Sequence, residues 1–275
     1  MHILRHEERL GGGSVGSTTM MGYGPEDSNF VLQVVYTLEN NTSVDATDAL
    51  QWFQIRSRVV YASLVESNAG ESVDVREIMI VSPGNGYTFY VVGEDPDLNV
   101  GPLEMVCLNV TDIEKSLKFY TEVLGLLEVD KGDDYMTLSC GYLNTFSLRL
   151  QKSNSHTTPS HTINHKSSRY NIALSLSNEE MSDMQTRIAA AKISFTEARD
   201  SLFVNDIQTM GQKSTTPAGL LHAIEIEDPD RIRIVMVTDE PFRKLSQVDE
   251  AAPQRLEKEM AKAWHKEWFV GQEKP

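Results

Sequence analysis

Gly22-Tyr23-Gly24-Pro25-Glu26-Asp27-Ser28 leads through Asn29 into Phe30-Val31-Leu32-Gln33-Val34-Val35-Tyr36. The first half is turn chemistry: glycine supplies unusual backbone angles, proline fixes one, and Asp and Ser bond their own backbone. The second half is β-rich and carries a single polar residue, Gln33, at its centre. With Thr18-Thr19-Met20-Met21 before it, the stretch predicts strand, turn, strand. A polar side chain in so apolar a strand points either to water or into a cavity, which makes Gln33 the first candidate site residue.

Upstream, His2-Ile3-Leu4-Arg5-His6 predicts a short strand, and Gly11 to Ser17 a glycine- and serine-rich loop. Gly11-Gly12-Gly13-Ser14 lacks the lysine and strand–helix setting of a phosphate loop, so it reads as flexible linker. Downstream, residues 39–48 form a polar linker, Gln51 to Tyr61 reads as a strand, and Ala62 to Gly70 as a helix stopped by glycine. Val75 to Val81 and Tyr87 to Val92 flank Pro83-Gly84-Asn85-Gly86, a hairpin signal. Glu94 to Gly101, with Pro96 and several acids, reads as a linker between halves.

The second half repeats this plan more clearly. Leu103 to Val110 is a strand, and Thr111-Asp112-Ile113-Glu114 has the spacing of a capping box with Thr111 as the cap. Leu117, Phe119, Tyr120, Val123 and Leu124 recur at helical spacing until Gly125 closes the helix. Three strands follow, near Leu126 to Val129, Tyr135 to Cys140 and Phe146 to Leu150. Ser153 to Ser168 is a polar loop whose His156, His161 and His165 match no zinc spacing. Tyr170 to Leu176 is a strand, Ser177-Asn178-Glu179-Glu180 caps a helix to about Lys192, and three strands (Ile193 to Ala198, Leu220 to Ile226, Arg231 to Val237) close the unit. The recurring unit of strand, helix and three strands predicts an α+β fold of βαβββ modules. Ala252 to Trp268 reads as a final helix packing an apolar stripe (Leu256, Met260, Ala263, Trp264) on the sheets, with Lys258 and Glu259 facing water.

With 25 Lys and Arg against 40 Asp and Glu, the 275-residue chain carries a formal charge of -15. An acidic surface repels nucleic-acid backbones and anionic membranes, so neither is an expected partner. Two cysteines, Cys107 and Cys140, sit in apolar strand-like runs and exclude a disulfide scaffold. No apolar run reaches the roughly 20 residues that span a bilayer, and no secretory or transit pattern opens the chain. A cytoplasmic location follows as the simplest expectation.

The GYGPED turn with its following strand resembles the glyoxalase I family of the vicinal-oxygen-chelate superfamily, nearest the glyoxalase-domain-containing protein four branch. Leu4-Arg5-His6-Glu7-Glu8, Asp112 to Leu117, Phe242-Arg243-Lys244-Leu245-Ser246 and Glu267-Trp268-Phe269 carry the same resemblance. It implies βαβββ modules whose eight-stranded halves curl around cavities, and a mitochondrial location as an alternative. On its register, 1–95 is an N-terminal half whose first module lacks an opening strand and helix, as in a truncated isoform or incomplete gene model. Residues 101–240 form a C-terminal half of two modules, and 241–275 a helical tail. The missing strand predicts an unpaired sheet edge.

Glyoxalase chemistry, as the resemblance implies it, uses a divalent metal such as zinc or nickel, held by His, Glu, Gln or Asp on opening and closing strands. That metal polarises the enediolate of a glutathione hemithioacetal. The corresponding positions here are Gln33, Ala49 and Tyr90 in one pair of modules, and Met105, Arg149, Asn171 and Val235 in the other. None completes a His–Glu set, and Arg149 and Arg233 place positive charge where a cation would sit. The expectation is therefore no catalytic residue, no metal and no cofactor. A module binding a small anionic metabolite or glutathione adduct through Arg149 and Arg233 replaces the enzyme, with a protein partner or homodimer as a further role. The alternatives are a lactoylglutathione-lyase-like enzyme acting on methylglyoxal hemithioacetal and, for the arginines, ordinary pairing with neighbouring acids. Asp228-Pro229-Asp230-Arg231 resembles the family's DPDG turn with arginine for glycine, which predicts a relaxed or altered turn geometry.

Overall fold

The computed structural model describes residues 1–11, 14–26, 29–37, 49–73, 77–82, 87–96, 101–139, 146–153, 171–193, 196–197 and 223–270. Among these, β1 (His2–Gly11), β2 (Ser14–Gly22) and β3 (Val31–Thr37) form an antiparallel meander. The opening stretch is thus strand, turn, strand, with Gln33 opposite Met20. The expected loop at Gly11 to Ser17 is corrected: Ser14, Gly16 and Ser17 lie in β2, paired with Gly11, Arg9 and Glu8. Cross-strand pairing outweighs the weak strand preference of glycine and serine here.

Three βαβββ modules follow. The first contains β4 (Leu50–Arg56), α1 (Arg58–Glu66), β5 (Glu71–Val73), β6 (Ile78–Val81) and β7 (Thr88–Val92). In the second, β8 (Leu103–Val110) leads to α2 (Ile113–Lys118), a π-helical turn (Phe119–Val123), β9 (Leu127–Lys131), β10 (Tyr135–Ser139) and β11 (Ser147–Lys152). The third has β12 (Asn171–Leu176), α3 (Asn178–Ala190), β13 (Thr196–Glu197), β14 (Ala223–Glu227) and β15 (Arg233–Thr238). Each opening strand lies parallel to its closing strand: β4 with β7, β8 with β11 and β12 with β15. Helical crossovers permit that parallel return, whereas the successive strands after each helix pair antiparallel. Two further helices follow, the short α4 (Asp239–Leu245) and the longer α5 (Ala252–Val270).

The first two modules share one eight-stranded sheet, in the order β5-β6-β7-β4-β8-β11-β10-β9. β4 and β8 join antiparallel at its middle, so the ladder crosses the expected linker at Glu94 to Gly101 instead of breaking there. The third module forms its own sheet, β12-β15-β14-β13. Packing divides the chain into two compact units. One comprises Met1–Thr42, Asp206–Ala218 and Arg243–Pro275; the other comprises Ser43–Asn205 and Gly219–Phe242.

Local chemistry moved several boundaries. The strand expected to run to Tyr61 ends at Arg56, because the Ser57 side chain accepts from the Val60 N–H and starts α1 there. The β-branched pair Val59–Val60 made those residues look like strand. The capping box expected at Thr111 is also corrected, since Asp112 caps α2 by accepting from the Lys115 N–H. The box at Ser177 and Glu180 forms as expected. Gly125 closes its helix with φ +78, donating to the Thr121 carbonyl at 3.1 Å. The turn that Arg231 is expected to relax or alter keeps a glycine-like geometry. Arg231 holds φ +64 and donates its N–H to the Asp228 carbonyl at 2.9 Å, so it takes the left-handed conformation that glycine would adopt freely.

Within the larger unit, Val106, Leu108, Leu138, Leu148 and Leu150 supply the sheet's buried face, together with Phe119, Tyr120 and Val123 of the π-helical turn. Each such side chain contributes about 1.5–3 kcal/mol on burial. Met181, Met184 and Ile188 bury the inner stripe of α3.

Candidate ligand face on the eight-stranded sheet

Asp228 and Asp230 anchor the second module to the third. Both are buried. Asp228 Oδ1 accepts from the Asp230 and Ile232 N–H groups at 2.9 and 2.7 Å, and its Oδ2 accepts from the Tyr120 hydroxyl at 3.0 Å. Asp230 accepts from Thr111 Oγ1 at 2.5 Å and from Ser116 Oγ at 3.3 Å. That use of Thr111 explains why it does not cap α2. Burial pushes the Asp228 carboxyl up to about 6, against the lowering effect of the Ile232 and Tyr120 hydrogen bonds. The Tyr120 hydroxyl is also pushed well above its usual value, first by burial and then by the Asp228 charge.

Arg149, on the closing strand of the second module, sits on the sheet among aromatic and polar side chains. Its guanidinium carbon lies 4.0 Å from the Tyr135 ring centre and 5.8 Å from that of Trp52. Trp52 packs in turn on Tyr90, with ring centres 5.0 Å apart. Arg149 Nε donates to Thr137 Oγ1 at 3.2 Å, and Nη2 reaches the exposed Asp130 carboxylate at 3.5 Å. The register puts Thr137, Arg149, Cys107 and Trp52 in one row across four strands, which accounts for the grouping. Cys107 is fully buried, with its sulfur 3.6 Å from Gln51 Oε1 and 3.7 Å from Gln151 Oε1. Burial pushes its thiol up to about 12, partly countered by the Arg149 charge. It is therefore a thiol at neutral pH.

Each candidate position can now be placed. Tyr90 and Arg149 flank Trp52 on one sheet, joining positions that the sequence division assigned to different halves. Met105 is on β8, in register with Gln54 and Ser147. Ala49 and Val235 are buried and apolar, so neither side chain can ligate anything. Asn171 and Arg233 face each other in the separate sheet of the third module, and Gln33 belongs to the meander. Arg149 and Arg233 thus occupy different sheets; Arg233 lies 3.7 Å from Glu225, and no described contact joins the two arginines. His156, His161, His165 and Cys140 lie outside the described residues. Among the described residues no three His, Cys, Asp or Glu side chains converge as a metal site would require. A guanidinium, a protonated thiol and aromatic rings do not fit a divalent cation, which takes anionic or imidazole donors.

Sequence reasoning missed Glu26 and His6. Glu26, inside the GYGPED turn, is buried and takes both Arg5 Nε (2.5 Å) and Nη2 (2.8 Å). Two of the motifs that carried the family resemblance are therefore bonded to each other. His6 is fully buried, with Nδ1 2.9 Å from Thr19 Oγ1 and Nε2 2.6 Å from Glu259 Oε2. Glu259, expected to face water, instead holds α5 to β1. Alternating polar residues in an apparently apolar strand were the available signal.

Residues 103–236 match the Glyoxalase/Bleomycin resistance protein/Dioxygenase superfamily, and the chain carries a domain of that superfamily there. Among known proteins it is 28% identical to "Glyoxalase 1" of Caenorhabditis briggsae, over 98% of this chain and 90% of the relative. It is 26% identical to "Glyoxalase domain-containing protein 4" of Rattus norvegicus, over 100% of this chain and 89% of that one. In fold it is similar to glyoxalase I from Zea mays, with a TM-score of 0.64 at 21% identity, covering 88% of this chain and 85% of that chain.

Proposed function

We propose that this glyoxalase-superfamily protein works without a metal and binds a small anionic metabolite, such as a glutathione adduct, on the face around Arg149. The observation that carries this reading is the Arg149 guanidinium packed on Tyr135 beside Trp52, on the closing strand where the family places a ligand. A planar cation held by rings presents its edge to carboxylates through forked hydrogen bonds. The Asp130 pairing is partly exposed, and an incoming carboxylate can displace it at little cost. Arg233 would serve only a separate, weaker site. The protein would work in the cytoplasm.

The relatives' names favour a second reading, a lyase acting on a hemithioacetal. Two measurements on one sample separate them: metal content of protein purified without chelator, and isomerisation of the glutathione–methylglyoxal hemithioacetal. Negligible metal and no turnover, with titratable binding of S-lactoylglutathione lost in Arg149→Met, supports the binding module. Stoichiometric metal with turnover overturns it.

A further inference from the structure

Resting on the reading of the Arg149 face as a binding site, we propose that its ligand is a flat aromatic monocarboxylate. The acid group sits on the guanidinium edge and the ring against Trp52 and Tyr90. The charge pattern of the sheet limits the ligand to one acid group. Trp52, Cys107, Arg149 and Thr137 lie in one row across β4, β8, β11 and β10. Two residues along each strand, and so on the same face, stand Gln54, Met105, Ser147 and Ser139, with Tyr90 beside Gln54 on β7. Arg149 is the single charge among them.

A phosphate ester or a dicarboxylate brings more than one negative charge and needs a second cation near the first. Arg56, two residues beyond Gln54 on the same face, is already paired with Glu104 and Glu94. Lys152, three positions after Arg149 on β11, alternates to the opposite face. A monoanion matches what remains. Its carboxylate takes the Nη edge of Arg149 and displaces Asp130 from Nη2. A glutathione adduct, with two carboxylates, uses only one of them here and is the weaker ligand.

The rings select the rest of the ligand. Tyr135 lies against the Arg149 guanidinium at 4.0 Å and fixes its plane. Trp52 is 5.8 Å from the guanidinium carbon, and Tyr90 is 5.0 Å beyond Trp52 with its plane inclined at 57°. Two rings so inclined form a corner in which a third ring stacks offset on one and meets the other edge to face. The short reach from guanidinium to indole calls for a ring only one or two carbons from its carboxylate. Met105, in register with Gln54, offers a thioether to the ring edge. A saturated ring of the same size gains the buried area but not the π contacts, a difference of about tenfold in affinity.

Ligand-observed NMR titration of the full chain with phenylacetate, cyclohexylacetate and phenylacetamide tests this. Phenylacetate should bind about tenfold more tightly than cyclohexylacetate, which has the same charge and no π face. It should also bind about tenfold more tightly than the uncharged phenylacetamide. Both comparisons are made on the wild-type protein and need no variant. Trp52→Leu should bring the two acids to equal affinity, and Arg149→Met should bring phenylacetate down to the level of phenylacetamide. Equal affinity of the two acids for the wild type, or a ring preference that survives Trp52→Leu, overturns the proposal. If S-lactoylglutathione binds through Arg149 while phenylacetate shows no preference, the proposal falls and the binding reading stands. If no carboxylate binds, both fall.

Discussion

Asp228 carries the clearest pH signature of any single residue. Its carboxyl titrates near 6 in the fold against 3.8 in model peptides, because burial penalises the charge. A raised native value means the folded protein holds this proton more tightly than the unfolded chain. The resulting contribution is complete below about pH 4 and is lost as pH rises through 6, a change of about 3 kcal/mol. Urea unfolding from pH 4 to 7 should show Asp228→Asn lacking this fall. Tyr120→Phe removes the hydroxyl that donates to Asp228, and should cost about 1.5–3 kcal/mol at pH 7 but less at pH 4, where the carboxyl is neutral. Cys107 is predicted to stay unlabelled by iodoacetamide at pH 8 in the native protein and to react once unfolded, as peptide mass spectrometry can check.

Among the elements, the Asp228–Arg231 turn and the α2 cap respond to sequence in measurable ways. Arg231 at φ +64 stores left-handed strain, so Arg231→Gly should stabilise by roughly 0.5–1 kcal/mol, raising Tm by a few degrees in calorimetry. Asp112→Ala should cost about 1 kcal/mol through loss of the cap. The same region shows what the sequence could and could not convey. Strand β8, the Gly125 stop and the Ser177 box were readable because each depends on residues within one turn or one strand. The role of Thr111 was not, since its hydroxyl answers to Asp230, distant in the chain. The grouping of Tyr90, Trp52 and Arg149 was hidden for a related reason. It depends on β4 pairing with β8, a long-range choice to which periodicity within a strand is blind.

At the scale of the molecule, the smaller unit gathers residues from both ends of the chain. His6 meets Glu259, Arg255 Nε donates to the His6 carbonyl at 3.2 Å, and Asp249 donates its N–H to the Leu4 carbonyl at 2.8 Å. Removing residues 252–275 should therefore unprotect β1 and β2 in hydrogen exchange while β8 and β11 stay protected. Arg5→Met should cost about 3–5 kcal/mol in that unit by stranding the buried Glu26 carboxylate. This joining of the ends also bears on how the protein is made. On a ribosome the β1–β2 hairpin emerges long before the helix that buries His6. Until that helix is made, the hairpin waits incomplete while the modules between them can finish folding. Nascent chains stalled before residue 252 should hold protease-resistant modules behind a cleavable N-terminal hairpin.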